Sequence, residues 1–151
     1  MKLDFPSGMQ HLFEFGAGEK NFNWHFPKGT RSKRKDGAYL IFVDGKLWKI
    51  GRWSRSFSEL RRRYHVDELR DALKHRELWH DFLEAGGKVQ IYGYFRDLPI
   101  VTCPDPFFGE AEEKRTKGDW YETQLLDIYF KTTGTYPPGN FQELAKLKQK
   151  Q

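Results

Sequence analysis

The chain reads as an α/β domain in which a small antiparallel sheet of about three strands is flanked by helices and preceded by an N-terminal arm. Three observations predict it. Two β-rich runs, Ala38–Val43 and Lys46–Gly51, flank Asp44-Gly45, a dipeptide that accepts the positive φ angles of a two-residue hairpin turn. Ser56-Phe-Ser-Glu59 then has the spacing of a capping box, so a helix starts directly after the hairpin. Further on, Lys88–Phe95 alternates and is rich in β-formers, which supplies a third strand to pair with the hairpin.

In chain order, residues 1–36 carry mixed turn and strand signals, with His11-Leu-Phe-Glu-Phe15 and the aromatic alternation Phe22-Asn-Trp24-His-Phe26 predicting one or two short strands. Lys28, Arg31, Lys33, Arg34 and Lys35 follow without hydrophobic periodicity. Such a run suits either a loop on a phosphate backbone or a solvated linker. In the helix after Ser56, Phe57, Leu60 and Tyr64 form the apolar stripe, with Arg61 and Arg63 on its opposite flanks. A second helix is predicted over Asp67–Glu84, with Leu69, Leu73, Trp79, Phe82 and Leu83 at apolar positions and Gly86-Gly87 as its stop. Residues 96–118, with Pro99, Pro104 and Pro106, read as a long connection. A helix capped by Asp119 runs toward Gly134, and Pro137-Pro138-Gly139 leads through Asn140 into a terminal helix over Phe141–Lys148.

At 151 residues the chain has room for one core but not for a separate recognition domain. A net charge of +5 and a pI near 9.3 favour a polyanionic partner, although 26 basic against 21 acidic residues is a moderate excess. No apolar run approaches the roughly 18 residues of a membrane span, and no secretion signal opens the chain, so the default compartment is the cytoplasm. Cys103 is the single cysteine, which excludes an intrachain disulfide and argues against a cysteine-based zinc site.

The hairpin with Gly37-Ala38-Tyr39 on one strand and Lys49-Ile50-Gly51 on the next, followed by an arginine helix, resembles the catalytic core of the GIY-YIG nuclease superfamily. Tyr39 stands at the first motif tyrosine and Lys49 at the second, as in some small type II restriction endonucleases of that family. The resemblance covers residues 37–140 and implies a compact GIY-YIG-type sandwich over 37–151, with 1–36 as the arm. It implies hydrolysis of DNA phosphodiester bonds with Mg²⁺ or Mn²⁺, on double-stranded DNA, with target choice left to the 1–36 arm, the 96–118 loop or a partner subunit such as a second copy.

Within that frame each site residue has a plainer competitor. Glu122 shares a helical stripe with Leu125, Leu126 and Tyr129, where a carboxylate is costly unless paired; a divalent cation would pair it, and so would a capping box closed on Asp119. The resemblance makes Glu122 the metal ligand. Asn140 begins another capping-box pattern, while the family's Asn at this place helps hold the site together. Two registers place the phosphate-binding arginine: Arg61 with His65 four residues on, or Arg63 at the end of Glu59-Leu-Arg-Arg-Arg63; the reading here is Arg61. His65 is equally a charge at a helix C-terminus. Lys49 can only donate unless its pKa is lowered, which shifts the activation of water toward Tyr39, itself a residue type usually found in cores. Arg52 and Arg55, beside the hairpin, join the basic run as nucleic-acid contacts. The competing function is a catalytically inactive DNA-binding or repair-complex module on the same scaffold.

Overall fold

The computed structural model describes residues 3, 5, 8–27, 36–65, 70–94, 101–105, 109–113 and 117–150, with the backbone alone at 70, 71, 101–105, 109–113 and 117–119. Strands β1 (Gln10–Phe15), β2 (Phe22–Trp24), β3 (Gly37–Val43), β4 (Lys46–Trp53) and β5 (Val89–Tyr94) make one antiparallel sheet in the order β2-β1-β5-β3-β4. The expected three strands are therefore joined by both strands of the N-terminal segment: β1 lies inside the sheet, paired with β5 on one side and β2 on the other. The basic run at 28–35 lies outside the described residues.

The hairpin is closed by Asp44 at φ 53° and Gly45 at φ 71°, the paired left-handed conformations of a type I′ turn. β3 is covered on both faces, and its residues 37–41 are all buried. Helices α1 (Phe57–Tyr64) and α2 (Arg70–Glu84) lie over one face, against Tyr39, Ile41, Trp53 and the β1 phenylalanines. Helix α3 (Lys117–Thr133) covers the other, where Tyr121 and Leu125 meet Ala38, Leu40 and Ile50. Burying each of the large apolar side chains is worth about 1.5–3 kcal/mol. Trp79, Tyr39, Tyr64, Phe13, Phe15 and Phe57 are all fully buried around the β3–β4 hairpin, so whatever the hairpin carries stands on a stiff floor.

Several local readings are corrected. Leu73 is 43 % exposed, and the stripe α2 buries is Ala72, His75, Trp79 and Leu83. The 96–118 connection contains a two-stranded hairpin, β6 (Val101–Asp105) with β7 (Gly109–Glu113), despite Pro104. Helix α3 starts two residues before Asp119, which therefore sits inside the helix rather than at its cap. Its far end follows expectation: Gly134, at φ 76°, donates its N–H to the Phe130 carbonyl. Helix α4 (Phe141–Gln149) closes the chain. Among the described residues, no helix is long and apolar enough to cross a membrane.

Candidate active site

The site grows out of an irregularity in β4. Ile41 pairs with Lys49 but Phe42 pairs with Leu47, so Trp48 is an extra residue, a β-bulge. Leu47 and Ile50 are three apart and would face opposite ways in a regular strand, yet both pack on the α3 side. The bulge absorbs the difference and turns Trp48 and Lys49 away from that core. The indole N–H of Trp48 donates to His75 Nδ1 at 2.9 Å, and its carbonyl accepts the Gly139 N–H at 2.7 Å. Gly139 has to be glycine for this approach, because a Cβ there would lie 2.3 Å from Trp48 Nε1.

Gly51 does the same for Tyr39. The two residues are cross-strand partners, and a Cβ on Gly51 would stand 2.3 Å from Tyr39 Cζ and 2.4 Å from its Oη. The phenol thus lies across bare backbone, with its oxygen 2.6 Å from the Tyr64 hydroxyl of α1.

Beside β4 opens a cleft of about 750 Å³, lined by Tyr39, Lys49, Arg52, Glu59, Arg63, Tyr64, His75, Glu122, Asn140 and Glu143 among others. It draws on β3, β4, all four helices and the turn before α4. Arg63, and not Arg61, is the α1 arginine that lines it. The Arg63 guanidinium lies beside the two phenols, which it influences electrostatically, and faces Glu59 at 3.8 Å. Burial disfavours its charge, but Tyr39, Tyr64 and Glu59 outweigh burial and raise its pKa. Arg61 lies on the other flank, its guanidinium 4.7 Å above the Phe22 ring of β2. His65 is also turned away: 4 % exposed, against Phe15 and Phe22, with Nε2 3.3 Å from the Gly18 carbonyl. Burial lowers its pKa, and Arg61 and Arg76 add to the effect.

Lys49 reaches the cleft with Nζ 6.0 Å from the centre of the Tyr64 ring. Burial pushes the Tyr64 phenol well above its ordinary pKa, and Tyr39 pushes it further, so Tyr64 stays protonated. Glu122 is half-buried on α3. Its carboxyl is raised first by burial and then by Glu143, while Arg52 and Lys49 pull the other way. With Asp119 inside the helix, the cap that competed for Glu122 is gone. What remains is a carboxylate whose charge is costly beside a second carboxylate, an arrangement a bound divalent cation relieves, and Glu122 with Glu143 are the residues that would hold one.

Asn140 is 2 % exposed and makes no side-chain cap. Its Oδ1 accepts the Ile50 N–H at 2.9 Å and its Nδ2 donates to the Ile50 carbonyl at 2.8 Å. The amide thereby satisfies the open edge of β4 next to Lys49, and with Gly139 it fastens the turn to the strand. Ser56 also makes no side-chain cap, which leaves Glu59 to face Arg63 and Arg55 instead of closing a capping box. Arg52 lines the cleft, whereas the Arg55 side chain is 82 % exposed at its rim, 4.0 Å from Glu59.

His75, Tyr64 and Glu143 are cleft residues that the sequence did not single out as site residues. Because an indole N–H can only donate, His75 Nδ1 is the acceptor and a neutral ring carries its proton on Nε2. Burial, then Lys49 and Lys74, lower His75 to about 4, so the ring is neutral near pH 7.

The sequence matches no family model and no curated protein. Among solved structures the chain is similar to a mutant of EndoII from bacteriophage T4, with a TM-score of 0.53 and 18 % identity over 87 % of this chain and 90 % of that one. It is also similar to restriction endonuclease HPY188I in complex with product DNA, with a TM-score of 0.43 and 17 % identity over 87 % of this chain and 79 % of that one. These neighbours are nucleases, and the likeness to EndoII shows a shared fold.

Proposed function

We propose that the chain is a divalent-metal-dependent endonuclease that hydrolyses phosphodiester bonds of double-stranded DNA through a GIY-YIG-type site, in the manner of a small restriction enzyme. One observation carries the reading: a single cleft gathers Tyr39, Lys49, Arg63 and Glu122 from two strands and two helices. The fold shared with EndoII supports it.

Tyr39 takes the proton of the attacking water. It must enter the step as a phenolate. Tyr64, held protonated by burial, has its hydroxyl 2.6 Å from the Tyr39 oxygen and can donate to it. Arg63 and Lys49 line the same cleft, with Lys49 Nζ 6.0 Å from the centre of the Tyr64 ring. Arg63 also has donors for the non-bridging oxygens as charge builds on phosphorus. Mg²⁺ or Mn²⁺ bound at Glu122 would supply Lewis-acid polarisation of the phosphate and stabilise the departing 3′ oxygen. Asn140 serves by holding the β4 edge, not by touching substrate. Lys28, Arg31, Lys33, Arg34 and Lys35, immediately before β3, together with Arg52 and Arg55, position the duplex by phosphate contacts.

Plasmid incubated with the protein in Mg²⁺, in Mn²⁺ and in chelator tests the reading. The expected result is cleavage in either metal and none in chelator, with sequenced ends carrying 5′ phosphates. Binding to duplex without cleavage in any metal would make the chain an inactive DNA-binding module.

A further inference from the structure

At the opposite side of the sheet, β1 contains a second bulge. His11 pairs with Tyr92 but Phe13 pairs with Ile91, so Leu12 is the extra residue, and Leu12 and Phe13 both enter the α1–α2 core. That displacement puts His11 and Glu14, three apart, on the same outer face. His25 follows β2 and is tied to the bulge by its N–H on the Leu12 carbonyl at 3.0 Å. The result is a cluster of His11, Glu14 and His25 in which one ligand atom from each lies within 4.8 Å of the others. The two imidazoles stack with centroids 3.9 Å apart, and His25 Nε2 is 3.9 Å from Glu14 Oε1. His11 Nε2 is buried and has no hydrogen-bond partner.

We propose that His11, Glu14 and His25 form a zinc-type cation site, separate from the cleft, that fastens the end of β2 to β1. Two imidazole nitrogens and one carboxylate oxygen suit Zn²⁺ among the common biological cations, because Mg²⁺ and Ca²⁺ take oxygen ligands. With metal–ligand bonds of about 2.0–2.2 Å, the ligand atoms close to roughly 3.3–3.5 Å of one another, a contraction of about 1.5 Å or less that side-chain rotation supplies. Three protein ligands leave one position of a tetrahedron for water. Lys88, 3.8 Å from Glu14, is the competing partner, but that ammonium belongs to a side chain 57 % exposed and holds the carboxylate weakly. The site has a structural use, since β2 is three residues long, lies at the sheet edge and leads into the basic run. The metal proposed for the cleft and this one are independent: β1 and β4 are separated by β5 and β3.

The test is titration of chelator-stripped full-length protein with Zn²⁺, read by calorimetry and by thermal melting, on the wild type, on His25→Ala and Glu14→Gln, and on two controls, Glu122→Gln in the cleft and His80→Asn at an exposed histidine of α2. The expected result is one saturable equivalent in the wild type, with His25→Ala and Glu14→Gln weakened by at least a factor of about ten, since each removes one of three ligands. Binding persists in His80→Asn and Glu122→Gln. At a hundredfold excess over Kd the melting temperature rises by about 5 °C or more in the wild type and not in His25→Ala. His25→Cys, which restores a zinc ligand, regains binding, and that separates lost ligation from a damaged fold. The proposal is overturned if saturable binding is absent, if His25→Ala leaves it unchanged, or if Glu122→Gln or His80→Asn abolishes it.

Discussion

Replacing Gly51 with alanine tests the site through one methyl group. The new Cβ would stand 2.3 Å from Tyr39 Cζ and 2.4 Å from Oη, against 3.4 Å for ordinary contact, so the phenol has to retreat by about 1 Å. Tyr39 is 1 % exposed, and the retreat drives it into packed neighbours while opening the 2.6 Å bond to Tyr64. Overpacking of this kind costs about 1–3 kcal/mol, and the buried hydrogen bond adds about 1 kcal/mol. At roughly 2–4 °C per kcal/mol for a chain of this size, the melting temperature falls by about 5–15 °C. The effect on cleavage is separate, because misplacing a reacting group by about 1 Å costs on the order of a hundredfold in rate. Melting by circular dichroism, and plasmid cleavage well below the lower melting point, measure the two quantities. An alanine protein that melts with the wild type and cuts at its rate would refute both the packing argument and the role of Tyr39.

Arg63→Ala should lower the cleavage rate by about two to three orders of magnitude, the usual worth of one transition-state donor, while Arg61→Ala should cost much less; the reverse order in single-turnover assays would return the phosphate site to the Phe22 flank. His75, lowered to about 4 by burial, then Lys49 and Lys74, contributes stability that is complete above the ordinary histidine pKa of 6.5 and is lost as pH falls from there through about 4, a loss of about 3 kcal/mol. Urea unfolding at pH 7.5 and 4.5 should therefore show a smaller acid penalty in His75→Gln than in the wild type, and equal penalties would mean the ring is not held neutral. Replacing Lys33, Arg34 and Lys35 with alanine should lower the slope of log affinity against log salt by about two to three, read by duplex binding, and an unchanged slope would make the run a solvated linker.

The hairpin was legible because its turn needs positive φ at two adjacent residues and Asp44-Gly45 is one of the few dipeptides that accept it. The α1 stripe was legible for a similar local reason, since Phe57, Leu60 and Tyr64 bury as their spacing requires. The choice between Arg61 and Arg63 was not, because both flank that stripe evenly. What separates them lies far off in the chain: Arg61 sits over Phe22, more than thirty residues earlier, and Arg63 lies on the open side of β4. The bulge at Trp48 left only the three-residue spacing of Leu47 and Ile50 as a trace. His75 reads as one more polar residue of a helix until Trp48 is brought against it. Asn140 looked like a cap because the same amide that can cap a helix can also clamp a strand edge, and only the approach of β4 selects the second. Pro104 argued for a loop, but proline is tolerated in short edge strands, which is what β6 is.

The central claim is that the cleft beside β4 performs metal-dependent hydrolysis, and Glu122→Gln tests it most directly. The measurement is single-turnover plasmid cleavage in Mg²⁺ by wild-type and Glu122→Gln protein, with duplex affinity and melting temperature taken on the same preparations. The expected result is a fall in cleavage of at least about two orders of magnitude with binding and melting nearly unchanged, because the substitution removes a ligand charge that the fold itself finds costly. A Glu122→Gln protein that cuts at the wild-type rate would contradict the account, and if it also melts several degrees lower, the carboxylate serves the fold and not the reaction.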